Sequence, residues 1–402
     1  MIKQYRPILI LLAAINFTHI LDFMIMMPLG NYLMPYFKIS TQKFSLLVST
    51  YTISAAISGF TAAFFVDNFD RKKILLFGYI GFLAGTLACG VAPNYELLFV
   101  ARTIAGLFGG LIGAQVLSII ADIFPYSDRG KAMGAVMSAF AIASTIGVPF
   151  SLYLANLISW HAPFILVAGL GVIIVPLVIK FIPNMNKHIT ANKNEEGNSP
   201  FKALLVIKEH TNMQLALLFS GLIMLGHFLI IPFINPYMEF NNGYSKQQTP
   251  MIYLVGGLSS FFAANILGRL ADKYGKLKVF TIAIIVSLPL VIAVTHVPPI
   301  PFWIVLTIFG FWFTAATGRG VTAQAMISNE VDANNRGSFM SFNSSVQQLG
   351  TGIASLVAGI VVTTNAKGQI QHYTWLGYLS IIILIACLFL ARYLFGKKRG
   401  MA

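Results

Sequence analysis

Three formally charged side chains, Asp22, Arg102 and Arg319, stand deep inside long apolar runs of this 402-residue chain. An ionisable group at the middle of a bilayer costs at least about 2.5 kcal/mol, so each needs a partner, a cavity or a proton path. A carboxyl group in a poorly hydrated cavity can take up and release a proton near physiological pH, which is the chemistry of proton coupling. Asp22 lies about 15 residues into its run, roughly 22 Å along a helix axis. Thr18 and His19 precede it by four and three residues, so all three share one helix face. Three roles stand open for Asp22: a proton carrier assisted by His19 and Arg102, a permanently charged structural partner of Arg102, or a seat for a cationic substrate.

Arg319 is flanked by Gly318 and Gly320, small neighbours that allow close helix packing or local unwinding. A guanidinium keeps its proton and offers five donors, which suits a carboxylate or phosphate on a substrate as well as backbone carbonyls. His227 is either a neutral hydrogen-bonded ring or a functional one. Asn343, Gln347 and Thr351 recur at spacing four, with Ser344 and Gln348 beside them, and either line a cavity or join helices. Phe17, Phe23, Tyr51 and Phe228 could add an aromatic wall. The expected substrate contacts are therefore Arg319, His227, Asn343, Gln347, Tyr51 and Phe23.

The elements that must position these groups are membrane helices. Hydrophobic residues make up 57% of the chain and charged residues only 10%, against about 25% charged in an ordinary soluble domain. A span needs about 20 mainly apolar residues. Twelve such stretches are expected, at 7–35, 44–67, 74–91, 95–123, 131–157, 161–181, 213–238, 249–271, 278–297, 302–330, 337–364 and 373–396. The short alternating segments of a β-barrel are not seen. Met1 to Arg6 leads directly into the first run and reads as the start of an uncleaved span, since no small-residue cleavage site follows.

The chain also repeats itself. His19 and Pro28 recur as His227 and Pro236 at an offset of 208, Asp67 as Asp272 at 205, and Arg129-Gly130 with Met133 as Arg336-Gly337 with Met340 at 207. A duplicated six-helix bundle follows: residues 1–182, then a polar linker at 183–212 around Asn192 to Asn198, then 213–402. Two such bundles around a central cavity place a substrate near the bilayer midplane. An amphipathic piece near Phe201 to Ile207 is expected on the membrane surface.

The formal net charge of +14 is a topology signal. On the side holding the N-terminus lie 21 lysines and arginines, while the other side has only Lys38, Lys43, Lys246 and Lys367. Both termini are then expected in the cytoplasm, and the protein in the cell's inner (plasma) membrane. Basic residues scattered over loops of one membrane face do not make a nucleic-acid surface. Cys89 and Cys387 have no partner spacing and read as packing residues, and no ligand set for a metal or other cofactor stands out.

The segment Gly268-Arg269-Leu270-Ala271-Asp272-Lys273-Tyr274-Gly275-Lys276-Leu277-Lys278 resembles the signature loop of the major facilitator superfamily, between the second and third spans of each half. The first copy, Ala63 to Lys73, keeps Asp67 and Arg71-Lys72-Lys73 but has Ala63 and Asp70 where the pattern prefers glycine. Arg102 with Gly106 and Gly109-Gly110 is similar to the arginine motif of proton-driven branches. Gly147-Val148-Pro149 resembles the sugar-efflux and drug-efflux antiporters, although Phe150, Ser151 and Leu152 depart from the fuller antiporter pattern. The resemblance implies a cytoplasmic charge cluster of Asp67, Arg71 and Asp122 acting as a latch, with Asp272, Lys276 and Glu330 as a weaker counterpart. The physical alternative is that these charges only anchor the loops.

No phosphate loop, His-Glu-x-x-His pair or Cys/His cluster suggests an enzyme. The expected function is a monomeric proton-coupled transporter of a small molecule, most simply exporting an amphipathic drug, sugar-like compound or metabolite. The alternatives are proton-coupled uptake of an anionic metabolite or siderophore-like acid, and a transporter-like sensor or lipid-handling protein without coupled flux.

Overall fold

The computed structural model describes residues 5–62, 64–124, 126–186, 200–329 and 336–396. They fold as twelve membrane helices in two six-helix halves. Eleven helices among the described residues are long and apolar enough to cross a bilayer. The remaining span, Arg336–Val361, is 26 residues long and owes its lower hydropathy to the Asn343–Gln347–Thr351 ladder and its serines. Most boundaries lie within a few residues of the expected ones, because charge and Pro/Gly punctuation marks where each apolar run must leave the membrane.

The differences have local causes. The first span is Arg6–Met26 followed by Gly30–Phe37, broken where Pro28 has no N–H to donate. The seventh repeats the device, with Thr211–Phe228, a 3-10 turn Ile231–Phe233 containing Pro232, and Ile234–Phe240. The fifth runs Tyr126–Ile142, widens to a π-helical turn at Ala143–Gly147, and resumes at Val148–Leu157. Pro149 explains that bulge, since its missing N–H removes a bond back to the preceding turn. The eleventh span ends at Val361, and Thr363–Thr364 pairs antiparallel with Ile370–Gln371 in a small hairpin before the twelfth, Tyr373–Gly396. Part of the stretch read as linker is a helix, Pro200–Glu209, in which Ile207 is buried while Leu204 and Leu205 are exposed; residues 187–199 lie outside the described residues.

The remaining spans are Thr41–Ala62, Arg71–Gly90, Tyr95–Ile123, Ala162–Phe181, Pro250–Tyr274, Lys276–Thr295 and Phe302–Ser328. Gly275, at φ 96°, makes the one-residue turn between the eighth and ninth spans. Its backbone sits where a residue with a Cβ is strained. Among the described residues, two long helix pairs join the halves, besides the meeting of the first and seventh spans. The second span packs along the eleventh, where Gly359 faces Ser45, Gly352 faces Thr52 and Ile53, and Ser345 faces Gly59. The fifth meets the eighth where Thr145 of the π turn lies against Gly257. Small residues at these positions let membrane helices approach closely enough for van der Waals packing to hold them.

Candidate functional site

The charged centre of the first half begins with glycines. Gly106 and Gly110 of the fourth span lie directly against the backbone of Tyr51 and Ala55 in the second, where a Cβ would collide with a carbonyl oxygen. Arg102, one turn before Gly106 on the same face, is thereby laid over the Tyr51 ring, its guanidinium carbon 4.3 Å from the centroid. Its Nη1 donates to Asp22 Oδ2 at 2.7 Å, and both residues are fully buried. Removing either partner of such a pair leaves an uncompensated charge in a dry site. The pair is loosely completed: Thr86 interacts with Asp22 and Cys89 with Arg102, yet Asp22 Oδ1, Arg102 Nε and the Tyr51 hydroxyl have no close hydrogen bond among the described residues. His19 completes the centre, 6.4 Å from Tyr51 and 5.5 Å from Phe82 between ring centroids, with a buried Nε2 that has no hydrogen-bond partner among the described residues. Thr18 turns elsewhere, to the Tyr79 hydroxyl at 3.0 Å.

A row of rings leads from this centre into the second half. Tyr51 stacks on Phe23 at 5.9 Å, Phe23 meets Phe228 of the seventh span at 5.8 Å, and Phe228 adjoins His227 at 5.3 Å. His227 lies 5.0 Å from Trp312 of the tenth span. Arg319 sits two turns further along the same face as Trp312, in a continuous helix without local unwinding, and is 3% exposed. It lies within electrostatic reach of His227 and of the Cys387 thiol, and makes no hydrogen bond or ion pair among the described residues.

Of the polar ladder, Gln347 joins three spans, donating to Ser220 Oγ at 2.9 Å and to Gln324 Oε1 at 3.2 Å. Asn343 is buried, its Oδ1 without a hydrogen bond among the described residues, and Thr351 donates to the Gln347 carbonyl. Cys89 and Cys387 are free and buried. Among the described residues no three of His, Cys, Asp and Glu gather as a metal site.

At the end of the bundle that holds both chain ends, Arg71 Nε donates to Asp122 Oδ2 at 2.5 Å, tying the third span to the fourth within one half. The backbone of Asp67 lies in a 3-10 turn, Val66–Asn68, and its side chain is outside the described set. Asp70 does more than its departure from the family pattern suggests. It caps the third span at Lys73 N, 3.1 Å, and accepts from Met185 N at 2.6 Å, binding the end of the sixth span. Asp272 is exposed, and neither it nor Lys276 forms an ion pair among the described residues; Glu330 lies outside them.

The opposite end is closed by bonds between the halves. Asn31 Nδ2 donates to Glu239 Oε1 at 2.6 Å and Asn235 Nδ2 donates to the Pro28 carbonyl at 3.0 Å, while Thr249 Oγ1, within the second half, steadies Glu239 by donating to the same oxygen at 2.8 Å. Thr41 Oγ1 donates to the Val362 carbonyl at 2.6 Å. Sequence reasoning missed Asn31, Glu239 and Trp312. The first two were findable, since their separation of 208 is the offset that relates His19 to His227.

Comparison with known proteins agrees with this architecture. Residues 12–355 match the family model of the Major Facilitator Superfamily. The uncharacterized MFS-type transporter YceJ of Bacillus subtilis (strain 168) is 24% identical over 88% of this chain and 89% of its own. Multidrug resistance protein 3 of the same organism is 29% identical over 37% of this chain and 29% of its own. In fold, a bacterial homolog of the human lysosomal transporter Spinster, in an inward-facing unoccupied conformation, superimposes with a TM-score of 0.75 at 16% identity, covering 97% of each chain. The D-xylose-proton symporter does so with a TM-score of 0.75 at 15% identity, covering 96% of each. With a family model spanning most of its length and twelve helices in two packed halves, the chain belongs to the Major Facilitator Superfamily and is a secondary transporter of the membrane, not an enzyme.

Proposed function

We propose that this transporter exports a small amphipathic compound in exchange for protons, as a monomer of the plasma (inner) membrane with both termini in the cytoplasm. The observation that carries the reading is Asp22, a fully buried carboxylate with one oxygen held by Arg102 and the Thr86 hydroxyl as the other polar group beside it among the described residues. A proton on Asp22 removes the counter-charge that fixes Arg102, and Arg102 in turn lies on the ring of Tyr51, which stacks on Phe23. Loading the proton therefore loosens the wall that the first half presents to the second, and the same wall is where an amphipathic substrate would lie. Alternating access follows when the bonds of Asn31 and Glu239 break on one side while contacts at the other side close.

Export is supported by the partial match to a multidrug resistance protein and by the placement of Gly147-Val148-Pro149. Gly147 lies against Leu21 and Phe17 of the first span, while the π turn it ends meets the eighth span. Cytoplasmic termini rest on the asymmetry of lysine and arginine, and we assign Asp67, Arg71 and Asp122 to the latch on that face. Uptake of an anionic metabolite is the second reading, favoured by the unpaired Arg319. Reconstituted protein separates the two: with an acidic bath, a neutral lumen and a labelled compound inside, export by exchange predicts that efflux of the compound accompanies proton entry from the acidic side. Accumulation of compound together with protons on the same side would replace export with symport.

A further inference from the structure

The second half holds a set of donors without acceptors. Arg319 offers five N–H groups, is 3% exposed and has a fully buried Nη1 with no partner among the described residues. The indole N–H of Trp312, 0% exposed, also lacks an acceptor. Nδ1 of His227, a donor in one of the ring's two neutral tautomers, has no partner among the described residues either; its ring is tilted against the indole at 5.0 Å and lies within electrostatic reach of Arg319. Helical side chains lean toward the N-terminus of their helix, so Arg319 reaches back toward the turn that carries Trp312. The acidic residues described in this half, Glu209, Glu239 and Asp272, lie at or beyond helix ends, away from this level of the membrane. A buried cation near His227, and the unsatisfied His227 and Trp312 that touch each other, call for an acceptor that the described residues do not supply.

We infer that His227, Trp312 and Arg319 form a seat for an anionic group, a carboxylate or a sulfonate- or phosphate-like oxyanion, whose apolar remainder lies along Phe228 and Phe23. Arg319 supplies the charge and a forked pair of donors. Trp312 and His227 supply single donors that orient the group. Phe228 and Phe23, half-buried where the two halves meet, accept a hydrocarbon or aromatic body. This assignment names the substrate class of the proposed transporter and rests on the substrate lying between the halves; it does not require that protons drive transport.

The test uses the full-length purified protein at constant pH, with three probes of one shape: 4-phenylbutyrate, 4-phenylbutanamide and 4-phenylbutylamine. The acid should raise Tm and quench tryptophan fluorescence saturably, and the amide and amine should bind at least tenfold more weakly. Arg319→Gln should lose at least tenfold in affinity for the acid, Arg319→Lys should lose less, and Trp312→Phe should remove most of the quench. If Arg319→Gln does not fold, Arg319→Lys and Trp312→Phe carry the test. Competition by sulfate or chloride assigns the seat to a free anion, and binding unaffected by them assigns it to the substrate's own charge; both uphold an anion seat. Equal binding of the amine or amide, or unchanged affinity in Arg319→Gln, overturns it. The assay reads equilibrium binding at one pH with no proton gradient, so failure of the seat and failure of proton coupling are read separately.

Discussion

Arg102 and Arg319 are both guanidinium groups buried in fourth-span positions of their respective halves, yet their surroundings are opposite. Arg102 has a carboxylate at 2.7 Å and an aromatic face at 4.3 Å. Arg319 has a histidine and a thiol near it and no acid among the described residues. The two halves share a ring-lined face and a duplicated sequence, so the contrast is one of charge. One half closes its own electrostatics and can respond to a proton; the other is left incomplete and can respond to a ligand. We propose that this is a division of labour, with coupling in the first half and recognition in the second.

The largest effects should come from breaking that contrast directly. Arg102→Leu strands Asp22 and should destabilise the protein by about 3–5 kcal/mol, seen as a lower Tm and poorer yield in detergent. Arg319→Leu removes a cation with no partner and should leave the ligand-free Tm unchanged or raise it. Equal losses in both variants would mean that Arg319 has structural bonds comparable to those of Arg102.

A smaller effect is expected at the glycines that bring Arg102 over Tyr51. Gly106→Val forces the second and fourth spans apart and should cost about 1–3 kcal/mol, while the same change at Gly320, which has open space around it, should cost less. Comparison of the two melting curves sharpens the claim that close approach, rather than helix propensity, builds the first centre. The smallest effect belongs to the bonds between the halves. Glu239→Gln weakens a charge-assisted bond to Asn31 by about 1 kcal/mol, enough to shift a two-state equilibrium about fivefold. Spin labels at Gln42 and Gln247, both exposed at that end, should then report a larger share of long distances. An unchanged distance distribution would show that Asn31 and Glu239 do not set the closed state.

Much of this architecture was legible in the residues. The apolar runs gave the spans, because a chain in lipid must satisfy its backbone within helices, and the offset near 207 gave the duplication. Asp22, Arg102 and Arg319 stood out because charge is rare at that depth. What the sequence left open was facing. Spacing alone did not say whether Asp22 pairs with Arg102 or stands free, and the glycines that decide it act across a helix pair rather than within one. Trp312 is one of many large apolar residues in its run, and only its 5.0 Å contact with His227 across two helices marks it out. The breaks at Pro28 and Pro232 and the π turn before Pro149 follow from missing N–H groups, yet a hydropathy run passes through them unmarked. The Asp272 and Lys276 loop repeats the first in letters, but its exposed Asp272 has no described ion pair, whereas Arg71 holds Asp122.

The central claim is that Asp22 carries the coupled proton, and the measurement that tests it most directly compares two modes of transport in one variant. In liposomes, Asp22→Asn keeps the shape of the side chain but has no acidic proton to exchange near neutral pH. Transport driven by a pH gradient should fall to background, while exchange of labelled for unlabelled substrate across equal pH should persist. Gradient-driven transport equal to that of the parent protein would contradict the claim. Loss of both modes together with loss of substrate binding at every pH would contradict it too, and would leave Asp22 as a substrate contact or as the structural partner of Arg102.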